Sequence, residues 1–286
     1  MKLGYFPGCL ADSSAREYDM SLKAVFHKLG LELEEVHDWN CCGAFEASCV
    51  NQILATALPA RNLALFSKNH ETLVISCAAC YSNHAKANFH VKEDPAFREK
   101  IENVIEDKIA QIEVRHPLEI MRDMPPEKIR NEVKKPLKGL KFIPYYGCNF
   151  LRPSKVLKAD NPENPTLMEG IIEALGGEAL PFPLKARCCG GALLMADKPL
   201  SLKMTTKLWE EAQKLKPDAI VVLCPQCSMT LETLADEIES VKEKIPVIYF
   251  TQLIGLAFGI DPEELGLSKN LISTEALVEH VEKIKA

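Results

Sequence analysis

Ten of the eleven cysteines in this chain are written out twice in one pattern. Cys9 is followed after thirty-one residues by the pair Cys41-Cys42, and thirty-four residues, the first of them Gly43, separate that pair from Cys77-Ala78-Ala79-Cys80. Cys148 is followed after thirty-nine residues by the pair Cys188-Cys189, and again thirty-four residues, the first of them Gly190, lead to Cys224-Pro225-Gln226-Cys227. One shift of 147 residues (41 to 188, 77 to 224) superposes both CC pairs and both CxxC pairs. A match at that length reads as an internal duplication, so the chain must fold as two copies of one unit.

The flanks say what that unit is. Thr72 to Ser76 and Ala219 to Leu223 are short apolar runs, rich in branched residues, directly before each CxxC, and read as buried parallel strands. Gly4 to Gly8 resembles Pro144 to Gly147, directly before Cys9 and Cys148. A helix is expected between the first cysteine and the CC pair of each half. In the first, Ser14-x-x-Glu17 suggests a capping box, with Tyr18, Leu22, Val25, Phe26 and Leu29 at helical spacing and Gly30 as the stop. In the second, Thr166 leads into Met168, Ile171, Ile172 and Leu175. The expected fold is α/β, with two pseudo-symmetric parallel-sheet domains of βαβ type. The charged, proline-punctuated stretch from 124 to 139 places the boundary, giving domains 1–130 and 131–286. The second domain would carry a helical extension from Pro262 that lies outside the repeat, as surface padding or as a docking arm.

The 286 residues suit two ordinary domains, and 47% apolar composition supplies their cores. A net charge of −6, with no dense basic run, argues against nucleic acid. The apolar stretch Ile248 to Ile260 is too short to span a bilayer, and Met1 to Tyr5 does not read as a signal peptide. A cytoplasmic location is therefore expected, where disulfides rarely persist and metal binding or thiol chemistry takes precedence.

Each half offers five thiols, one more than a tetrahedral zinc site takes, and adjacent cysteines diverge in extended backbone. They suit different irons of one extended cluster, although zinc in one or both halves stays open as an alternative. A CxxC opening a helix after a strand would meet N–H groups and a helix dipole that favour thiolate. Both sets fall at the carboxyl ends of strands, where open α/β sheets place ligands. Cys49 has no counterpart, since Ala196 stands at its shifted position, and reads as a small buried hydrophobe. His84 and His116 read as packing or capping residues. No Walker or GxGxxG motif is present.

The duplicated CCG and CxxC pattern resembles the cysteine-rich CCG domain family, and within it the B subunits of the methanogen heterodisulfide reductases. The likeness runs from Cys9 to beyond Cys227. Many relatives in glycolate, lactate and succinate oxidising systems carry a ferredoxin-like cysteine run, which this sequence does not contain. The resemblance implies two non-cubane [4Fe-4S] clusters, held by Cys9, Cys41, Cys42, Cys77 and Cys80 and by Cys148, Cys188, Cys189, Cys224 and Cys227. The two cluster sites themselves would be catalytic, cleaving the disulfide of coenzyme M and coenzyme B between them. Implied partners are a ferredoxin-like and a flavin-bearing subunit of the same complex, fed by a hydrogenase or formate dehydrogenase. Such a substrate carries sulfonate, carboxylate and phosphate groups, so Arg16, Arg152, Lys155, Lys185 and Arg187 become candidate anchors. The alternative is a non-catalytic electron-transfer subunit of a lactate, glycolate or succinate oxidising complex.

Overall fold

A computed structural model describes residues 2–11 and 13–283. It contains two four-stranded, all-parallel sheets with flanking helices. The first comprises β1 (Lys2–Phe6), β2 (Glu32–Glu35), β3 (Thr72–Ile75) and β4 (Glu113–Arg115), in the order β2-β1-β3-β4. The second comprises β5 (Lys141–Tyr145), β6 (Glu178–Ala179), β7 (Ala219–Val222) and β8 (Val247–Tyr249), in the order β6-β5-β7-β8. The two orders are the same, as the duplication requires. Tyr5 pairs with Val74 in one sheet, and Ile143 with Ile220 in the other. The central strands β3 and β7 are covered on both faces and almost wholly buried, which is why they read as unbroken apolar runs.

Pro144 sits inside the central strand β5, where a missing N–H should cost a ladder bond. The cost is avoided because β6 is two residues long and pairs only with Lys141 and Phe142. Beyond it, the N–H groups of Tyr146 and Gly147 donate to Lys185 O.

The first expected helix is present as Arg16–Lys28, with Tyr18, Leu22, Val25 and Phe26 fully buried. Its expected capping box is absent. Ala15 is the N-cap residue, with no side-chain cap, and Glu17 turns inward toward Tyr249 instead. Tertiary packing outweighs the local cap here, because the buried face of this helix docks on the other half. Tyr18 stacks on Tyr249 at 4.2 Å between centroids, and Ser21 Oγ meets Thr251 Oγ1 at 2.7 Å. The contact has a pseudo-symmetric counterpart. Helix Arg16–Lys28 packs on Phe250–Ala257, and helix Leu167–Ala174 packs on Pro117–Arg122.

The stretch from 124 to 139 is not simple linker. It contains the short helix Pro126–Arg130, and the N–H groups of Lys134 and Lys135 share Ala257 O. Beyond Pro262 the chain is mostly turns, ending in helix Glu275–Lys283. Leu265, Leu267, Leu277 and Val281 are buried, and Leu267–Lys269 packs on helix Arg16–Lys28 of the first half, so this segment is part of the core.

Candidate metal centre

Strand order places both thiol sets. In each sheet the two central strands diverge in connection, and the crevice beyond their carboxyl ends is the usual ligand position of such folds. Cys9 follows β1 and Cys77 follows β3; Cys148 follows β5 and Cys224 follows β7. Cys77 and Cys224 are the N-cap residues of helices Ala78–Glu93 and Pro225–Leu234, which place Cys80 and Cys227 in their first turns.

The sulfurs touch in sequence. In the first half Cys41 meets Cys42, Cys42 Sγ lies 3.2 Å from Cys80 Sγ, and Cys80 meets Cys77. In the second Cys148 meets Cys188, Cys188 meets Cys189, Cys189 meets Cys227, and Cys227 meets Cys224. Cys77 and Cys224 adjoin across the interface, so the two thiol sets are neighbours. Cys9 lies near Cys41 and is exposed. The five thiols of the second half line a cavity of about 50 Å³ with Tyr146, Asn149 and Gln226, and the first half closes it with Phe45 and Ala78. Cys49 is in neither set and is exposed on helix Glu46–Val50, contrary to its expected burial.

Hydrogen bonds among the sulfurs split their acidities. The Cys42 thiol is pulled well down by its hydrogen bonds with Cys41 and Cys80, and that of Cys188 by its hydrogen bonds with Cys148 and Cys189. Thiolate is the metal-binding form, and these two positions favour it, while neighbouring sulfurs and burial push Cys41, Cys80, Cys148 and Cys227 the other way. Backbone N–H groups of Gly190 and Gly191 point at Cys188 Sγ (3.4 Å) and Cys189 Sγ (3.3 Å). Among the described residues, no three His, Cys, Asp or Glu side chains are arranged to hold a single ion. Five thiols strung in a line, with N–H groups aimed at sulfur, fit a polynuclear iron–sulfur group better than mononuclear zinc.

Several contributors carried no distinct sequence signal. Gly8 and Gly147 adopt φ of +75° and +67°, and a Cβ there would lie 3.3 Å from Cys80 Sγ and 3.0 Å from Cys227 Sγ. A glycine before the first cysteine of each half was the available clue. Asn83 Nδ2 donates to Ala44 O (2.7 Å) and approaches Cys42 Sγ at 3.7 Å, fixing the loop after the first CC pair. His84 is buried, bonded to Cys80 O and to Asn62, and burial lowers its pKa.

His116 joins the halves. Its Nδ1 accepts from Leu118 N–H, so Nε2 carries the proton and faces Ser76 O at 2.9 Å and Leu223 O at 3.3 Å. Those carbonyls directly precede Cys77 and Cys224. One buried imidazole, kept neutral by desolvation that lowers its pKa to about 4, thus ties the two CxxC loops together. Tyr18 OH adds a bond to Leu223 O at 3.3 Å.

The basic candidates divide. Arg152 is spent on Ala186 O, Pro162 O and Glu163, and Lys185 on Glu169 and Pro165 O, both at 2.6 Å. These contacts brace the loop that carries Cys188. Arg16, Lys155 and Arg187 are exposed.

Comparison with known proteins places this geometry. The family model described as "CCG: Cysteine-rich domain" matches residues 3–83 and 143–232, once in each half. The chain is 32% identical to the 8-methylmenaquinol:fumarate reductase membrane anchor subunit of Wolinella succinogenes, covering 96% of this chain and 99% of that protein. It is 27% identical to the B subunit of the ferredoxin/F420H2-dependent CoB-CoM heterodisulfide reductase of Methanosarcina acetivorans, covering 100% and 98%. A protein of Archaeoglobus profundus, described as like the heterodisulfide reductase B subunit, is 29% identical, covering 93% of each. Among solved structures, a hypothetical protein from Helicobacter pylori superposes with a TM-score of 0.78 at 14% identity, over 95% of this chain and 52% of that one, which bears on the fold alone.

Proposed function

The chain belongs to the cysteine-rich CCG domain family, and on that premise we propose that it is the iron–sulfur catalytic subunit of a heterodisulfide reductase. The observation that supports this best is the meeting of two equivalent thiol sets at Cys77 and Cys224. Full-length likeness to proteins named as heterodisulfide reductase B subunits adds to it. The reaction would be the reduction of the coenzyme M–coenzyme B disulfide, R–S–S–R′ with two electrons and two protons giving RSH and R′SH.

Each set, Cys9, Cys41, Cys42, Cys77 and Cys80 in residues 1–130 and Cys148, Cys188, Cys189, Cys224 and Cys227 in residues 131–286, would hold one non-cubane [4Fe-4S] cluster. When bound, such clusters supply electrons one at a time, and two neighbouring sites match the two-electron demand of a disulfide. The chain's own residues do the positioning. Gly8 and Gly147 leave room beside the sulfurs, the Gly190 and Gly191 N–H groups offset thiolate charge, and His116 holds the two CxxC loops at fixed spacing. Arg16, Lys155 and Arg187 are exposed and would be the ones to meet anionic groups of the substrate. Electrons would arrive from a ferredoxin-like and a flavin-bearing subunit of the same complex, with a hydrogenase or formate dehydrogenase upstream, in the cytoplasm. Among the described residues no helix is long and apolar enough to cross a membrane.

A second reading has its own observation. The 32% identical Wolinella protein is named as a subunit of a fumarate reductase, so a non-catalytic electron-transfer role in a fumarate- or succinate-linked complex is the competitor. Anaerobic protein carrying about eight irons should release two thiols per heterodisulfide with reduced viologen as donor. Full iron content without thiol release would sink the reductase reading and leave electron transfer.

A further inference from the structure

A cavity of about 710 Å³ lies outside the thiol sets, on the first half, where the second half edges it. One wall is the stripe of helix Ala78–Glu93 that carries Tyr81, Ala85, Asn88 and Lys92, spaced three or four apart and so on one face. The other wall is β4 and the chain before it, and Val156 and Lys158 close it from the second half. Tyr81 directly follows Cys80 and packs on His116 and Phe150, so the inner end of the cavity abuts the first thiol set.

The charges do not cancel. Lys92, Arg98, Arg115, Arg122 and Lys158 face Glu113, Glu119 and Asp123. Every one of these acids is engaged. Glu113 holds Arg115 at 3.0 Å, and Asp123 holds Arg115 and, at 2.6 Å, Arg122. Glu119 accepts from His116 N–H at 2.9 Å and from the Tyr81 hydroxyl. Arg98 is taken by Glu102 at 2.8 Å. Among the described residues the Lys92 and Lys158 side chains have no ion pair or hydrogen bond. The Arg115 Nε–H is buried and lacks a partner, a costly state that an incoming acceptor relieves. Phe89, Val91, Ile112 and Val156 add apolar surface beside the polar Asn88 and Gln111.

We infer that this cavity binds a small molecule carrying an anionic group, a phosphate, sulfonate or carboxylate, on a partly apolar skeleton. Its volume falls in the range of small-molecule sites, and its lining is divided between charged or polar groups and an apolar strip, so both parts of such a ligand have a counterpart. The anion would face Lys92, Lys158 and Arg115 Nε. The inference stands without the disulfide reading, since it rests on residues other than the cysteines.

Hexyl phosphate, titrated calorimetrically into the full chain, is the probe. One-to-one binding is expected, with hexanol and inorganic phosphate each about tenfold weaker or worse, because each supplies half of the match. Lys92→Gln and Lys158→Gln should each weaken hexyl phosphate about tenfold, the loss of one charge-assisted hydrogen bond. Both lysines are exposed, so these variants should fold, and near-UV circular dichroism checks that they do. Absent binding, or binding unchanged in the double variant, would overturn the site. Two sources of the ligand are separable in the metal-loaded complex. A raised KM for the heterodisulfide in Lys158→Gln, at unchanged kcat, assigns the cavity to an arm of the substrate. Unchanged KM with lost hexyl phosphate binding assigns it to a separate ligand of the same chemistry.

Discussion

Replacing Glu232 by glutamine should make this protein more stable above neutral pH and flatten its stability profile. Glu232 is buried where the halves meet. Its Oε1 accepts from Ile272 N–H at 3.0 Å, and its Oε2 from Ser228 Oγ at 3.2 Å. Ser228 also contacts the Tyr249 hydroxyl, and Tyr249 contacts Glu17, so Glu17, Tyr249, Ser228 and Glu232 form one chain. That chain has three contacts and two hydroxyl hydrogens, which leaves it one proton short when both carboxyls are ionised. Burial, with the nearby charge of Glu17, raises the Glu232 pKa from 4.5 to about 7, and burial raises that of Glu17. The folded chain therefore keeps a proton that the unfolded chain releases. Stability is fully retained below about 4.5, falls as pH rises, and levels off above about 7. A displacement from 4.5 to about 7 corresponds to about 3 kcal/mol. Glutamine carries no charge and can donate to Ser228 Oγ while still accepting from Ile272. Urea unfolding of both chains at pH 5, 6, 7 and 8, at equal metal content, gives the difference directly, and the opposite acid-side trend from buried His84 and His116 cancels. The variant should gain up to about 3 kcal/mol at pH 8 relative to its difference at pH 5. Parallel profiles would refute the one-proton chain.

Other perturbations test the thiol sets. Gly147→Ala forces a left-handed φ on a residue whose Cβ would press on Cys227 Sγ, and should remove about half of the bound iron; Gly139→Ala, with φ of +84° and open space, should cost about 1 kcal/mol in urea and no iron. Cys42→Ala and Cys189→Ala should each lose about half of the iron, with Cys49→Ala losing none; loss of all iron from either single change would mean one shared site. His116→Ala strips a buried donor from Ser76 O and Leu223 O and should destabilise by about 3 kcal/mol in urea. A loss under about 1 kcal/mol would show that His116 does not tie the loops.

What the sequence determined by itself is what repeats or depends on near neighbours. The 147-residue shift appears in the structure as two sheets of the same strand order, and the apolar runs before Cys77 and Cys224 and the helical spacing from Tyr18, which reflect local periodicity, appear as strands and a helix. The same cysteine spacing makes both thiol sets legible in the sequence. Tertiary structure decided everything that joins non-equivalent faces. Glu17 fits a capping pattern but serves a buried contact with Tyr249, because docking on the second half outweighs one exposed cap. Lys185 and Arg152 look available in sequence, yet nearby carbonyls and carboxylates claim them. The contact of Cys77 with Cys224, the His116 bridge and the cavity between Tyr81 and Lys158 join residues far apart in the chain, on faces that carry no common period. Their placement follows from how two sheets dock, and docking is set by the summed shape of both halves, which no local pattern encodes.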